Sequence, residues 1–204
     1  MNELIADLGH EFRRHRQLAE RAMAELDDEA FFRRPPPPPP PPSAQQQQQP
    51  PPAALPRESL TNPVAVIVKH LAGNLRSRWT DFLTSDGEKL QGEHRRDRDD
   101  EFVIGPQDTR ARLMGQWAAG WEALEETLAS MEASMEASNL VQTTVKIRGE
   151  NHSVQQALLR GLTHVAYHTG QILYLVRWLK PDAAWLTIAP GKSASHRAAY
   201  RSGM

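Results

Sequence analysis

The chain has 204 residues, 39% of them hydrophobic, with 24 lysines and arginines against 25 aspartates and glutamates. That length supports one core of ordinary size, and a net charge of -1 offers neither a basic surface for nucleic acid nor a polybasic patch for a membrane. Cysteine is absent, which excludes disulfides, thiolate metal sites and a cysteine nucleophile; the polar start Met1-Asn2-Glu3 is no signal peptide, no apolar run spans a bilayer, and the cytoplasm is the expected location.

Residues 3–32 are predicted to form a first helix, because Ile5, Leu8, Phe12, Ala19, Ala22, Leu26 and Ala30 recur at steps of three and four among charges. Pro35 to Pro42, Gln45 to Gln49 and Pro50-Pro51-Pro52 then break the pattern. Proline cannot continue a helix, and the segment has little to bury. Residues 34–58 therefore read as a disordered insertion within a single domain spanning 1–204, either a tolerated surface loop or a ligand for a proline-recognising domain. A second helix starts at Asn62-Pro63, with Asn62 as N-cap and Pro63 at the first helical position, and runs to about Leu83; its stripe is Val64, Val68, Leu71, Leu75, Trp79 and Phe82.

A polar loop from Thr84 to Gly105 carries the turn signal Asp86-Gly87 and dense alternating charge from Arg95 to Glu101. The third helix begins near Pro106, with Leu113, Trp117, Trp121, Leu124, Leu128 and Met131 as its buried stripe, and the repeated Ser-Met-Glu-Ala at 130–137 lengthens it by about one turn. Residues 139–150 are a connector with β-like alternation from Val141 to Ile147. The fourth helix spans Ser153 to Leu179, Pro181 ends it, and an irregular polar tail follows. Four amphipathic helices without strong strands indicate an all-α fold, a four-helix bundle.

Eight histidines are present. His10, His94, His152 and His196 lie among polar residues and read as surface groups, while His15 falls on the first helix's buried stripe as a core-edge histidine. His164 and His168 are four apart, so they leave one face of the fourth helix, beside the stripe of Leu158, Leu162, Val165, Ile172, Val176 and Leu179. Two inward imidazoles need partners. A shared metal ion satisfies both, and so does a hydrogen-bonded core pair. His70, on the inward line Ile67, His70, Asn74, Ser77 and Asp81 of the second helix, strengthens the metal reading by completing a three-nitrogen set that leaves a coordination position open. Asn74 and Gln171 are candidates to orient the histidines or a bound water.

Other motifs fail. Gly191-Lys192-Ser193 ends like a phosphate loop, but Leu186 stands at the leading glycine position; His10-Glu11 lacks a histidine at 14; and no glutamate lies between His164 and His168 to act as a base. Arg96, Arg98, Asp99 and Glu101, with Arg148 and Glu150, form a charged set with two open readings. One is arginines that bind a carboxylate or thiol-bearing substrate; the other is an ion-pair network pinning two long connections.

Several stretches together resemble the DinB-like superfamily, in a domain-of-unknown-function branch. They are Lys69-His70-Leu71-Ala72-Gly73-Asn74, Ser77 to Leu83, Asp86-Gly87-Glu88-Lys89, Arg96-Asp97-Arg98-Asp99 with Glu101-Phe102, Ile147-Arg148-Gly149-Glu150, His164 to Ile172, and Ile188 to Ser193. The similarity covers nearly the whole chain outside the proline–glutamine segment. It implies an up-down-down-up four-helix bundle, often a homodimer, with one divalent cation held by His70, His164 and His168. Zinc or nickel suits three imidazoles best, and iron or manganese is possible. It also implies a small-molecule substrate, with thiol-dependent transferases and isomerases and proteins induced by DNA damage among the relatives. The alternative is a non-catalytic, stress-related bundle with a structural metal. This sequence departs from the pattern at Leu90 to His94, in the proline–glutamine run and in the Ser-Met-Glu-Ala duplication.

Overall fold

The computed structural model describes residues 3–36, 61–92, 95–134 and 139–201. The predicted insertion at 34–58 therefore lies almost wholly outside the described residues, as does most of the second Ser-Met-Glu-Ala repeat. The described chain is mostly helical: α1 (Glu3–Met23), α2 (Asp28–Phe32), α3 (Val64–Trp79), α4 (Arg110–Ser134), α5 (Asn139–Gln142), α6 (Val154–Leu179) and α7 (Ser193–Arg201). One antiparallel hairpin, β1 (Thr144–Ile147) with β2 (Glu150–Ser153), completes it. Among the described residues no helix is long and apolar enough to cross a membrane.

Four of these helices enclose one core. α3 packs most extensively on α4 and α1 on α6, and contacts of α1 with α4 and of α3 with α6 close the ring. The predicted stripes of α3 and α4 are buried throughout, and Trp79, Trp117, Trp121 and Phe12 fill the centre. Burial of such aromatics is the main driving force for folding. Gly120 lets α3 approach α4, since a Cβ there would sit 2.9 Å from the Ala72 carbonyl oxygen.

The boundaries differ from expectation in several places; α4, for one, begins at Arg110 rather than near Pro106. The first predicted helix is two helices. Arg110 donates to the carbonyls of Met23 and Leu26 and so closes α1, while Asp27 caps α2 by accepting from the Ala30 N–H at 2.8 Å. Pro63, not Asn62, is the N-cap of α3, and it makes no side-chain cap. The helix ends at Trp79 rather than Leu83, because Thr80 turns extended and Asp81 takes φ 50°. The tail also forms α7 where irregular chain was expected. α6 begins where the sequence indicates: Ser153 and Gln156 form a reciprocal capping box.

The predicted polar loop is partly internal. Arg96 and Glu101 are buried, and Asp100–Phe102 form a turn of 3-10 helix against α3. Asp86 ties the loop to the hairpin by accepting from the N–H groups of Glu88, Arg148 and Gly149 at 2.7–2.8 Å. Arg148 and Gly149 both take positive φ, the geometry of a tight two-residue hairpin turn. Lys69 holds the loop's far end through Asp100 and the buried Asp108, each at 3.0 Å.

Candidate metal centre

α3 and α6 run antiparallel across the core, since His70 meets His164 and His168 whereas Trp79, at the far end of α3, touches Gly161. Gly161 leaves room for that indole; a Cβ there would lie 2.6 Å from the Trp79 ring. The small residue therefore sets the register that brings the three histidines together. Each offers a nitrogen within 4.8 Å of the others. His70 Nε2 lies 3.2 Å from His164 Nε2, which lies 3.1 Å from His168 Nε2.

Two of the rings are oriented from behind. His70 Nδ1–H donates to Glu101 at 2.8 Å, and His168 Nδ1–H donates to Gln171 Oε1 at 2.7 Å. A neutral ring that spends its one N–H on such a partner presents a lone pair at Nε2. Both Nε2 lone pairs thus face His164. That ring has one proton, so its Nε2–H can satisfy only one of the two neighbours, and its Nδ1 is buried without a partner. A divalent cation fits this donor set. Nitrogens about 2.0–2.1 Å from a tetrahedral ion stand about 3.3 Å apart, close to the separations seen.

The surroundings keep His164 and His168 neutral, the form that ligates. Burial pushes His164 down to about 3, and repulsion from His168, His70, Arg78 and Arg96 adds to it. Burial likewise pushes His168 down to about 4, against the hydrogen bond to Gln171, which raises it.

Behind the triad runs a buried chain of ion pairs. Arg96 grips both Glu101 oxygens, at 2.7 and 2.8 Å, and reaches Glu88 at 3.2 Å; Glu88 also accepts from Arg148 Nε at 3.4 Å. The hairpin is thereby linked to His70 through charged hydrogen bonds. Gly73 makes this possible: a Cβ on it would come within 2.0 Å of a Glu101 oxygen. Phe102 covers His70 at a ring separation of 5.1 Å.

Of the other predicted site residues, Glu101, Gln171 and Arg148 join these networks. Asn74 is buried one turn from His70, but the triad's ring nitrogens take their hydrogen bonds elsewhere. Arg98 is exposed above the Phe102 ring, and Asp99 and Glu150 are exposed. His15 is half-buried at the core edge, with burial lowering its pKa, and His10 and His196 are exposed. His94 lies outside the described residues. Sequence reasoning passed over Glu88, read only as part of a turn, and Phe102. It also passed over Tyr167, whose ring abuts His168 and whose hydroxyl accepts from Gln171. The i, i+4 spacing of Tyr167 and Gln171 was a usable signal; for Glu88 and Phe102 the sequence carried none, since their place depends on how the loop folds back.

The sequence model of a family described as protein of unknown function (DUF1572) matches residues 46–192, which include all three histidines. The chain belongs to this family. No curated protein and no solved structure matches it.

Proposed function

We propose that this chain binds one divalent metal ion through Nε2 of His70, His164 and His168 and acts on a small molecule at that ion. The observation that carries this reading is the convergence of three Nε2 atoms at 3.1 and 3.2 Å, two of them with lone pairs directed by Glu101 and Gln171. When bound, a divalent ion supplies a Lewis-acid centre with at least one open position. The protein's own part is to hold His164 and His168 neutral, fix the rings of His70 and His168, and shield the site with Phe102 and Tyr167. A cleft of ≈ 500 Å³ is lined by Thr61, Ile67, Gly170, Tyr174, Tyr167 and Gln171, the last two of which contact His168.

The ring of α1, α6, α3 and α4 supports reading the fold as a DinB-like, up-down-down-up four-helix bundle, with the family placed in that superfamily. On that basis the chemistry is a thiol-dependent transfer or a hydrolysis in the cytoplasm, with zinc or nickel as first candidates and iron or manganese next. The exposed Tyr167, Tyr174 and Trp178 along α6 offer a surface for homodimer formation.

Elemental analysis of protein purified without a histidine tag tests the site. About one equivalent of metal per chain is expected, with the loss in His164→Ala exceeding the roughly 10–100-fold affinity cost of removing an outer partner. Metal retained undiminished by His164→Ala sinks the assignment. A second reading, a structural metal in a non-catalytic protein, draws on Glu101: the carboxylate next to the triad is tied to Arg96 and His70 and is not a free base. Turnover of the metal-loaded protein on thiol-conjugation and hydrolysis panels separates the two; only the enzymatic reading expects it.

A further inference from the structure

α3 carries a second buried group that the triad leaves unused. Arg78 is 5% exposed, yet among the described residues its guanidinium makes no hydrogen bond or ion pair, and its Nε is buried without a partner. Among charged groups Arg160 acts on it most strongly and repels it. Glu88 attracts it less and spends its oxygens on Arg96 and Arg148. Burial lowers Arg78 only to about 10, so it is a cation at neutral pH.

An unpaired buried cation is among the least favourable arrangements in a protein interior, and an apolar side chain of similar volume would fill the same space without that penalty. Packing against Gly87 and Ile147, which border the Arg78 stem, explains the alkyl chain but not the charge.

The position of Arg78 relative to the histidines suggests its use. His70, Asn74 and Arg78 recur every four residues and form one line on α3. His168, His164 and Arg160 form a line at the same spacing on α6, which runs the other way. The contacts of His70 with His164 and of Trp79 with Gly161 set the register, so Arg78 stands toward Arg160 as His70 stands toward the other two histidines. Eight helical residues advance about 12 Å. A polar strip thus leads from the triad, past the buried Asn74, to the buried Arg78 and to Arg160, which is exposed and donates through Nη1 to His152 at 3.0 Å; guanidinium forks match planar oxyanions.

We propose that Arg78, with Arg160 opposite, binds an oxyanion of the substrate, so that the molecule handled at the triad is an anionic one carrying a carboxylate or phosphate roughly 12 Å from its reacting atom. This deepens the metal reading and rests on it for the reacting end.

The test is thermal unfolding of the full chain titrated with inorganic phosphate and, separately, with succinate, each against sodium chloride at matched ionic strength. A saturable rise in Tm with one of them is expected, because a ligand bound only by the folded state stabilises it; which of the two acts names the oxyanion. Arg78→Met should fold with an unchanged or higher Tm and lose the response. Arg78→Lys, which keeps the charge but not the fork, should need at least about ten times more anion. An undiminished response in both variants, or no response beyond chloride in the wild type, overturns the proposal. Metal analysis of the same wild-type samples keeps the two readings apart. Metal bound with no anion response leaves the triad and removes the Arg78 site; an Arg78-dependent response without metal does the reverse.

Discussion

At the scale of single residues, the triad depends as much on what stands behind the rings as on the rings. Glu101 accepts from Nδ1–H of His70 and from Nε and Nη2 of Arg96 while almost wholly buried. Glu101→Gln keeps the shape and a carbonyl for His70 but strips Arg96 of its nearest counter-charge. Breaking a buried pair costs about 3–5 kcal/mol when nothing replaces it, and Glu88 compensates in part, so a loss near the low end, about 3 kcal/mol by denaturant titration, is expected. Metal affinity should fall about 10–100-fold with it; unchanged metal affinity would show that Glu101 does not orient His70. Gly73→Ala probes the same contact from the helix side. Its methyl would collide with the Glu101 carboxylate, so Glu101 must move off His70. Calorimetric metal titration should then give weaker binding of the same order as Glu101→Gln, although the residue changed touches no histidine.

At the scale of elements, the loop between α3 and α4 is what sequence periodicity describes least well. One carboxylate orders its near end. Asp86 accepts three backbone N–H groups, two of them from a hairpin about sixty residues further on. Burial works to raise this carboxyl, and the N–H groups of Glu88, Gly149 and Arg148 outweigh it and hold it low. Asp86→Ala should cost about 1.5–3 kcal/mol, the range for hydrogen bonds to a charged group, and the amides of Arg148 and Gly149 should exchange with solvent faster than those of α3 and α4. Equal protection in the variant would mean that the hairpin holds itself. The stripes of α3, α4 and α6 were legible because a helix states its buried face every three to four residues. The break between α1 and α2 was not, because it depends on Arg110, a residue remote in sequence, reaching back to Met23 and Leu26.

At the scale of the whole molecule, the buried imidazoles couple stability to pH. His164 and His168 are held down to about 3 and about 4 in the folded metal-free chain, whereas the ordinary value is 6.5. Between those values the unfolded chain binds more protons than the folded one, so stability falls as pH drops below 6.5 and levels off near 3–4 as far as these groups are concerned. Asp86 and Asp108, both held below 3.8, extend the loss in the same direction at lower pH. Bound metal adds to the slope, because protons compete for the same nitrogens. The check is Tm of metal-free protein from pH 7.5 to 4: a decline that begins near 6.5 and is smaller in a His164→Ala/His168→Ala variant. A flat profile over that range would show that the rings titrate normally and are not buried as described.

The sequence by itself determined the four main helical segments, their buried stripes, the start of α6 at Ser153 and the pairing of His164 with His168 on one face, because each is a relation between residues within a few turns of one another. Only the tertiary structure decided that His70, 94 residues from His164, comes to 3.2 Å of it. It alone decided that Glu101 rather than Asn74 stands behind His70, and that Arg78 is buried with no hydrogen bond or ion pair among the described residues. Periodicity states which face a side chain occupies. Coordination and charge pairing depend on register between segments, set here by where a glycine admits a tryptophan ring and where one carboxylate ties down a loop.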